Sequence, residues 1–347
     1  MVPVLQSGRS FSGYSILKRI GKGGFGEIYF VQFPDTREFY AMKIESVKQE
    51  KRALHYEHRM LKSLQGCNYV PKFFDFGRSS GFLFLTMECF GPSLRILRKR
   101  LPRKVFSLST TLRLSIEMLR CIREIHDRGI IHRDIKPDNF LVRSSRYFPI
   151  GIIDFGLSRR FIDQETGELI PPRNHPGYVG TNSYTSVNAH MRMELSQRDD
   201  LLSWLYSIVE IKTGRLPWKG ISNKPKTMKK KVKVLPEKLF KKLPNQFLQI
   251  YNKYVMSLEP FESPNYDAII GLISKAMTEN QCSWDDPYDW EKLREKDVNE
   301  ISAIDLKPTK DDEPNIPFDF PLISEEKSSS QEGNEVVSGG CNGCNIS

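Results

Sequence analysis

The sequence predicts an α+β fold in which a small β-rich part is followed by a larger helical part. Runs of β-favouring residues, separated by turn residues, occupy most of the first 90 positions. After Gly91-Pro92, apolar residues recur at spacings of three and four, which is typical of helices. The chain has 347 residues, enough for one large domain or two of ordinary size, and its 39% hydrophobic and 27% charged residues are typical of a globular protein.

The small part is predicted to contain five strands and one helix. Glycines between positions 21 and 26 and the pair Pro34-Asp35 separate the first three β-rich runs, so these runs predict antiparallel strands joined by turns. Residues 53–64 place apolar side chains among charged ones at helical spacing. The predicted strands are residues 14–20, 27–31, 38–45, 72–76 and 82–87.

The large part is predicted to be mainly helical and to end before a disordered tail. Leucine and isoleucine residues from Leu112 to Ile125 mark one apolar helix face, and residues 201–213 predict a second, buried helix. From about residue 308, prolines and then Ser, Gly and Glu replace the aliphatic residues. Such a composition offers too little apolar surface to offset the entropy of ordering, so it predicts disorder.

Composition restricts the cellular environment. No apolar run approaches the ~18 residues that a membrane-spanning helix needs, and residues 1–6 lack the features of a signal peptide. We therefore expect a cytoplasmic protein, with the nucleus as the alternative. Six scattered cysteines predict reduced thiols. Net charge is +10, and because residues 308–347 hold eight acids and two lysines, residues 1–307 carry about +16.

A glycine-rich stretch, Gly21-Lys22-Gly23-Gly24-Phe25-Gly26, lies between the first two predicted strands and is followed by Ile28. Backbone without bulky side chains can fold over phosphates and direct its amides at them. Taken alone, the stretch fits an ordinary glycine-rich hairpin equally well. A dinucleotide-binding unit is disfavoured, because there the glycines lead into a helix, and here they lead into a strand.

Lys43, on the third predicted strand, and Glu57, on the predicted helix, form a candidate pair. A lysine that grips the α- and β-phosphates of a nucleotide must be held by a counter-charge, which a glutamate on a packed helix can supply. Glu57 could equally be a solvated acid on a helix face.

The decisive stretch is His132-Arg133-Asp134-Ile135-Lys136-Pro137-Asp138-Asn139, with Asp154-Phe155-Gly156 following twenty residues after Asp134. Phosphoryl transfer explains these residue types. Asp134 would orient a substrate hydroxyl and accept its proton, and Lys136 would offset the charge of the moving phosphoryl group. Asn139 and Asp154 would hold Mg²⁺.

From Tyr14 to Leu293 the chain resembles a eukaryotic protein kinase, and within that superfamily it resembles casein kinase 1 and the tau-tubulin kinases. The markers are the stretch from His132 to Leu141, Gly91-Pro92-Ser93-Leu94, Ser186-Val187-Asn188 and Leu216-Pro217-Trp218-Lys219-Gly220. The resemblance implies a bilobal fold, with ATP and Mg²⁺ as cofactors. The domain boundaries it implies are an extension at 1–13, an N-lobe at 14–87, a hinge at 88–92, a C-lobe at 93–297 and a tail at 298–347.

The resemblance also implies a nucleotide site. Met87 would be the gatekeeper, and Glu88 and Phe90 would offer hinge backbone groups to adenine. The ring would lie between Ile20, Ile28, Ala41 and Leu141. Lys136, two positions after Asp134, matches the serine/threonine kinases, so Ser or Thr is the expected acceptor. Expected partners are protein substrates bound by a monomer, and the alternative is a scaffold that binds nucleotide or partner proteins without chemistry.

Residues 219–242 contain ten lysines and one acid, which predicts acidic substrates. In casein kinases an arginine of the activation segment and a lysine beyond Leu-Pro-Trp favour substrates that are acidic or already phosphorylated. Lys229 is assigned to the lysine's position, and Ser183, which carries no charge, stands at the arginine's. We therefore expect diffuse lysine charge, from Lys226, Lys229 and Lys230, to select acidic sequences. The alternative is an ordinary solvated lysine-rich helix and loop. Nucleic acid is disfavoured as a partner, because no aromatic residues alternate with these lysines.

Two further features remain open on the sequence alone. Cys344-Asn345-Ile346-Ser347 fits the C-a-a-X farnesylation pattern, and a second lipid on Cys341 would be needed for stable membrane contact. The alternative is an unmodified tail. Acids at positions 163, 165 and 168 of the activation segment predict constitutive activity, because they can order the segment without a phosphate.

Overall fold

In the computed structural model, which describes residues 4–23, 26–48, 53–143, 145 and 147–293, the chain forms two lobes. The N-lobe is a six-stranded antiparallel sheet with spatial order β1-β2-β3-β4-β6-β5 and one helix, α1 (Ala53–Ser63). Its strands are β1 (Ser10–Phe11), β2 (Tyr14–Gly23), β3 (Gly26–Gln32), β4 (Phe39–Ser46), β5 (Phe73–Ser79) and β6 (Phe82–Glu88).

The sheet has one strand more than the five predicted. Ser12 and Gly13 both adopt positive φ values, and they turn the chain so that Phe11 pairs with Tyr14. Such a tight turn is a known route to a two-stranded hairpin. Phe11 is buried and packs edge-on against Phe84, so residues within the predicted extension 1–13 belong to the N-lobe sheet.

The C-lobe is mainly helical, as predicted. Its long helices are α3 (Leu108–His126), α5 (Gln197–Thr213) and α9 (Tyr266–Glu279), and α3 packs against both of the others. Shorter helices are α2 (Leu94–Arg100), α4 (Val187–His190), α6 (Lys224–Lys233), α7 (Pro236–Leu239) and α8 (Gln246–Gln249). Three two- or three-residue strands and a 3₁₀ turn frame the catalytic stretch: β7 (Ile130–Ile131), β8 (Phe140–Val142), β9 (Ile150–Ile152) and the turn Phe155–Leu157, followed by β10 (Arg159–Arg160).

Local sequence explains why α5 begins and ends where it does. Ser196 and Asp199 form a capping box, and Gly214 ends the helix with φ +85°. Nearly all of its side chains from Asp199 to Ile211 are buried, so α5 is the central element of the C-lobe core. The alternation of buried and half-buried residues along β3 likewise matches a strand with one face on a core.

Several predictions lie outside the described residues. These are the tail from residue 294, its predicted disorder, the lipidation candidates Cys341 and Cys344, and two residues of the glycine-rich stretch, Gly24 and Phe25. Among the residues described, none of the helices combines the length and the apolar character required to span a bilayer.

Candidate active site

The structure brings Lys43, Glu57 and Asp154 together between the lobes. The Lys43 ammonium donates to Glu57 Oε2 at 2.6 Å and to Asp154 Oδ1 at 3.0 Å. Burial lowers the pKa of Lys43, but the two carboxylates outweigh it and hold that pKa above its ordinary value. Lys43 is therefore charged at neutral pH and is fixed in place by acids from α1 and from the 3₁₀ turn region.

Glu45 explains how α1 reaches this position. Its buried carboxylate, on the same strand as Lys43, accepts from the backbone amides of Ala53 at 3.2 Å and Leu54 at 2.5 Å. These amides begin α1 and have no partner within the helix. A carboxylate at a helix N-terminus also interacts favourably with the helix dipole. The strand that carries Lys43 thus ties down the helix that carries Glu57.

Asp134 lies in a second cluster with Lys136 and Thr181. Lys136 Nζ donates to Asp134 Oδ2 at 2.5 Å, while the Thr181 amide and hydroxyl donate to Oδ1 at 2.9 and 2.7 Å. Lys136 also reaches Thr181 Oγ1 at 3.1 Å. Asp134 is therefore oriented on both of its oxygens, with a lysine placed beside it.

Asp200 holds the catalytic stretch from beneath. Its fully buried carboxylate accepts from the backbone amides of His132 at 2.6 Å and Arg133 at 2.8 Å, and His126 Nε2 lies 3.0 Å away. Arg133 has φ +66°, a strained value for a residue with a side chain. The two amide bonds explain how this conformation is maintained directly before Asp134.

The residues predicted to hold Mg²⁺ are adjacent. The Ile153 amide donates to the Asn139 carbonyl at 3.0 Å, so Asp154 follows directly beside Asn139. Asn139 uses its Nδ2 to donate to the Asp134 carbonyl at 2.9 Å, which leaves Oδ1 as an acceptor for a ligand. One carboxylate and one amide oxygen, completed by substrate phosphates, suit Mg²⁺. No cluster of three or more His, Cys, Asp or Glu side chains suited to a metal occurs among the described residues.

The described residues of the glycine-rich stretch lie at the end of β2 and the start of β3. Gly23 pairs with Gly26, and Gly21 pairs with Ile28, which in turn pairs with Lys43 on β4. Gly26 has φ +150°, and a Cβ there would lie 1.9 Å from the Ile44 carbonyl oxygen. Only glycine fits at that point, because the backbone of β4 approaches too closely for any side chain.

The residues predicted to surround adenine lie on the neighbouring strands β2, β3, β4 and β6 of the N-lobe and on β8 of the C-lobe. Ala41 pairs with Met87 across β4 and β6, and Leu141 forms an isolated bridge with Ser93 beneath the hinge. Met87 is buried, whereas the others are half-buried: Ile20, Ile28, Ala41 and Leu141. Half-burial leaves apolar surface on both lobes available to a flat ring.

The side chains of the hinge residues Glu88 and Phe90 contact other parts of the protein, and the backbone amide of Phe90 is left for a nucleotide. Glu88 accepts from the Lys72 amide at 3.1 Å and from Arg143 at 3.1 Å. The Phe90 ring is buried against Gly151, where a Cβ would come within 2.4 Å of it. Within the described ranges the Phe90 amide has no hydrogen-bond partner, as the predicted adenine contact requires.

Helix α6 carries the predicted anion patch. Lys226, Lys229 and Lys230 are exposed, and none of them forms an ion pair with a described residue. One neighbour differs, since Lys231 is only 7% exposed and turns towards residues 182–185. Lys231 is thus the lysine of α6 that contacts this segment, whereas Lys229 lies on the exposed side of the helix. The physical reason is helical periodicity, which places Lys231 on the buried face with Thr227, four residues earlier.

Three residues of the site were missed by sequence reasoning. Thr181 is 47 positions from Asp134, and only the preceding Gly180 (φ +93°) hints at a close approach, because a Cβ there would lie 2.6 Å from the Arg133 carbonyl oxygen. Asp200 resembles an ordinary acid in the first turn of a helix. Lys231 is hidden in a lysine run, although the Thr227 spacing was a usable signal.

Comparison with known proteins agrees with this geometry. The protein kinase domain family matches residues 14–282. The chain belongs to the protein kinase family. The expectation of a two-lobed α+β fold is thereby confirmed, and membership of this family supports the expectation of an ATP-dependent protein kinase.

Two curated relatives are similar to this protein kinase. A probable serine/threonine-protein kinase from Dictyostelium discoideum is 37% identical over 280 residues, which cover 80% of this chain and 56% of the relative. The serine/threonine-protein kinase spe-6 from Caenorhabditis elegans is 32% identical over 327 residues, covering 88% of this chain and 86% of the relative. The chain therefore spans little more than half the length of the first relative.

Proposed function

We propose that this protein kinase transfers the γ-phosphoryl group of ATP to serine or threonine hydroxyl groups of acidic proteins, in the manner of casein kinase 1. The observation that carries the proposal is the pair of fixed clusters, one built on Lys43 and one on Asp134. The first suits nucleotide phosphates and the second suits an acceptor hydroxyl. Serine/threonine specificity is further supported by the names of both relatives.

The chemistry of each residue follows from its contacts. Asp134 accepts a hydrogen bond from the substrate hydroxyl and takes its proton as the hydroxyl oxygen bonds to the γ-phosphorus. The bond between that phosphorus and the bridging oxygen breaks, and ADP carries away the electron pair. Lys136, 2.5 Å from Asp134, offsets negative charge on the moving phosphoryl group. Lys43, held by Glu57, fixes the α- and β-phosphates.

Asn139 and Asp154 would hold the Mg²⁺ ion. When bound, the ion supplies charge neutralisation on the phosphate oxygens. Burial raises the pKa of Asp154, but Lys43 and Lys136 outweigh it and keep that pKa below its ordinary value. Asp154 is therefore ionised at neutral pH and can act as a ligand.

The preference for acidic substrates is supported by α6. The helix contains six lysines and no acid in ten residues, and its Thr227 hydroxyl accepts from Asn182 at 3.0 Å. Asn182 directly follows Thr181, which contacts Asp134. The exposed lysines therefore flank the position where a substrate segment would pass the catalytic aspartate, and they attract negative charge there.

A scaffold without catalytic activity is the competing function. A pseudokinase normally lacks one of the phosphate- or metal-binding groups, whereas all four are present here, with Lys43 in contact with Asp154 and Asn139 in contact with Asp134. Location in the cytoplasm, a monomeric state and a lipid on Cys344 remain proposals that rest on the sequence.

Transfer of radiolabel from ATP to casein in the presence of Mg²⁺ tests the proposal, with the Asp134→Asn variant alongside. We expect labelled serine or threonine in casein with the wild-type protein and a loss of at least about 10³-fold in the variant. Equal, weak labelling by both proteins would favour the scaffold.

The acidic preference needs a separate test. Two peptides with the same acceptor serine, one flanked by Glu and the other by Gln, are compared at 50 and 200 mM salt. We expect the Glu peptide to be favoured at low salt and less so at high salt, because screening weakens the attraction of exposed charges. A variant with Lys226, Lys229 and Lys230 changed to Gln is expected to lose the preference.

A further inference from the structure

Lys231 differs from the other lysines of α6 because it is buried. Its ammonium donates to the carbonyl oxygens of Asn182 at 2.9 Å and Thr185 at 2.5 Å, and it lies 3.3 Å from His190 Nε2. The rings of Tyr206 and Trp218 lie next to each other on one side of the ammonium, each with its centroid 5.4 Å from the nitrogen. Carbonyl oxygens and aromatic faces both favour a cation.

The surroundings of Lys231 contain no acid that pairs with it among the described residues. Burial without a carboxylate lowers the pKa of Lys231 to about 7. Burial, with the nearby charges of Lys231 and Lys224, lowers the pKa of His190 to about 4, so its ring is neutral at pH 7 and Nε2 can accept. An ammonium has three N–H donors, and three acceptors surround this one. No donor is left for a substrate anion while these contacts persist.

The contacts of Lys231 fix the segment of residues 182–185. Trp218 Nε1 donates to the Ser183 carbonyl at 2.7 Å, and Asn182 Nδ2 donates to the Ile221 carbonyl at 2.9 Å. Three of the four carbonyls in the segment therefore accept from Lys231 or Trp218. The segment begins next to Thr181, whose amide and hydroxyl orient Asp134, so a shift of the segment would be transmitted to Asp134.

We infer that Lys231 is a positioning residue for the 182–185 segment and that it does not read negative charge in the substrate. Charge recognition then belongs to three of the five exposed lysines of α6, namely Lys226, Lys229 and Lys230. The inference rests on the proposed function, since it assigns one lysine of α6 to holding the substrate-binding segment and three others to selecting acidic substrates.

The test compares kcat/KM for the Glu and Gln peptides in three variants: Lys231→Met, Lys231→Arg and the exposed control Lys233→Met. Lys231→Met is expected to lower kcat/KM for both peptides by the same factor, between about 10- and 100-fold, because Asp134 loses its orientation. The KM for ATP should stay unchanged, since the nucleotide contacts lie elsewhere. Lys231→Arg, which keeps a charged donor, should recover part of the activity, and Lys233→Met should match the wild type.

Two outcomes would overturn the inference. If Lys231→Met abolishes the preference for the Glu peptide and leaves the Gln peptide unaffected, Lys231 reads substrate charge. If it leaves both peptides unaffected, the segment needs no such support. Should Lys231→Met not fold, as judged by its thermal unfolding, Lys231→Arg carries the same comparison. A wild-type protein that phosphorylates both peptides equally contradicts the proposed acidic preference instead, and a uniform loss in Lys231→Met would still support positioning.

Discussion

The Thr181 hydroxyl donates to Oδ1 of Asp134 at 2.7 Å, although the two residues are 47 positions apart. The backbone amide of Thr181 donates to the same oxygen at 2.9 Å. This double contact connects the end of the activation segment to the aspartate proposed as the general base. The segment proposed to bind substrate and Asp134 are therefore positioned together.

Replacing Thr181 tests that connection. Thr181→Val keeps the shape and the backbone amide but removes the hydroxyl, so Asp134 loses one of the groups that orient it. We expect kcat for peptide phosphorylation to fall by about tenfold, with little change in the KM for ATP. Thr181→Ser is the control, since it restores the hydroxyl, and it should recover most of the activity. Steady-state kinetics on one peptide decide the matter, and equal rates for Val and Ser would mean that the hydroxyl is dispensable.

Whether a residue of this site could be predicted from the sequence depends on how far apart along the chain the contacting residues lie. Asp134, Lys136 and Asn139 lie within one short stretch whose residue types and spacing predict their chemistry, so they could be proposed directly from the sequence. Strand limits in the N-lobe were close to those observed, because alternation is a local property. Thr181 could not be found in this way, since its role depends on tertiary folding of the activation segment.

The burial of Lys231 also could not be predicted from local sequence. Six lysines on one helix look alike in sequence, and net charge predicts only a solvated basic surface. Which lysine is buried depends on what α6 packs against, here the 182–185 segment and Trp218. A helical face containing Thr227 and Lys231 was visible, but the acceptors that satisfy a buried ammonium come from elsewhere in the chain.

Glu57→Gln should weaken the binding of the nucleotide. The change removes one of the two carboxylates that hold the Lys43 ammonium, and the other, on Asp154, is the one proposed to bind the metal. We expect kcat/KM for ATP to fall by between about 10- and 100-fold. Binding of a fluorescent ATP analogue should weaken in parallel, which can be measured without turnover. Asp35→Asn, an exposed acid in the β3–β4 turn, is the control and should leave both quantities unchanged.

The two glycines at the base of the glycine-rich hairpin should differ in their tolerance of alanine. In Gly26→Ala the new Cβ would lie 1.9 Å from a backbone oxygen of β4 at φ +150°, so the strands must separate. We expect a destabilisation of roughly 1–3 kcal/mol. In Gly21→Ala the nearest atom is the end of the Ile28 side chain at 3.4 Å, and we expect a change within about 0.5 kcal/mol. Thermal unfolding measures both, and equal melting temperatures would contradict the argument.

The activation segment is held by an acid other than those predicted. Asp163 accepts from the amides of Glu165 and Thr166, so it caps its own turn. Glu194 instead makes a two-pronged contact with Arg173, at 2.9 Å for both oxygens, and lies 3.4 Å from Arg159. The Glu194 carboxylate thus binds Arg173 and Arg159, the two arginines that a phosphate group could otherwise bind. This contact orders the segment without a phosphate and so supports the prediction of constitutive activity.

Glu194→Gln should therefore change how stability depends on pH. Burial alone would raise the pKa of Glu194, but hydrogen bonds from Arg173 and the charge of Arg159 lower it to about 2. Because this pKa is lower in the folded chain than in the unfolded one, the carboxylate stabilises the fold above pH ~4.5 and loses that effect as the pH falls towards 2. Urea unfolding at pH 6 and pH 3 should show a gap between wild type and variant that narrows at pH 3 by on the order of 1 kcal/mol. If the difference in unfolding free energy is the same at both pH values, Glu194 stabilises the fold by packing and not by its charge. If the unphosphorylated variant is fully active, Arg159 and Arg173 need no anion for activity.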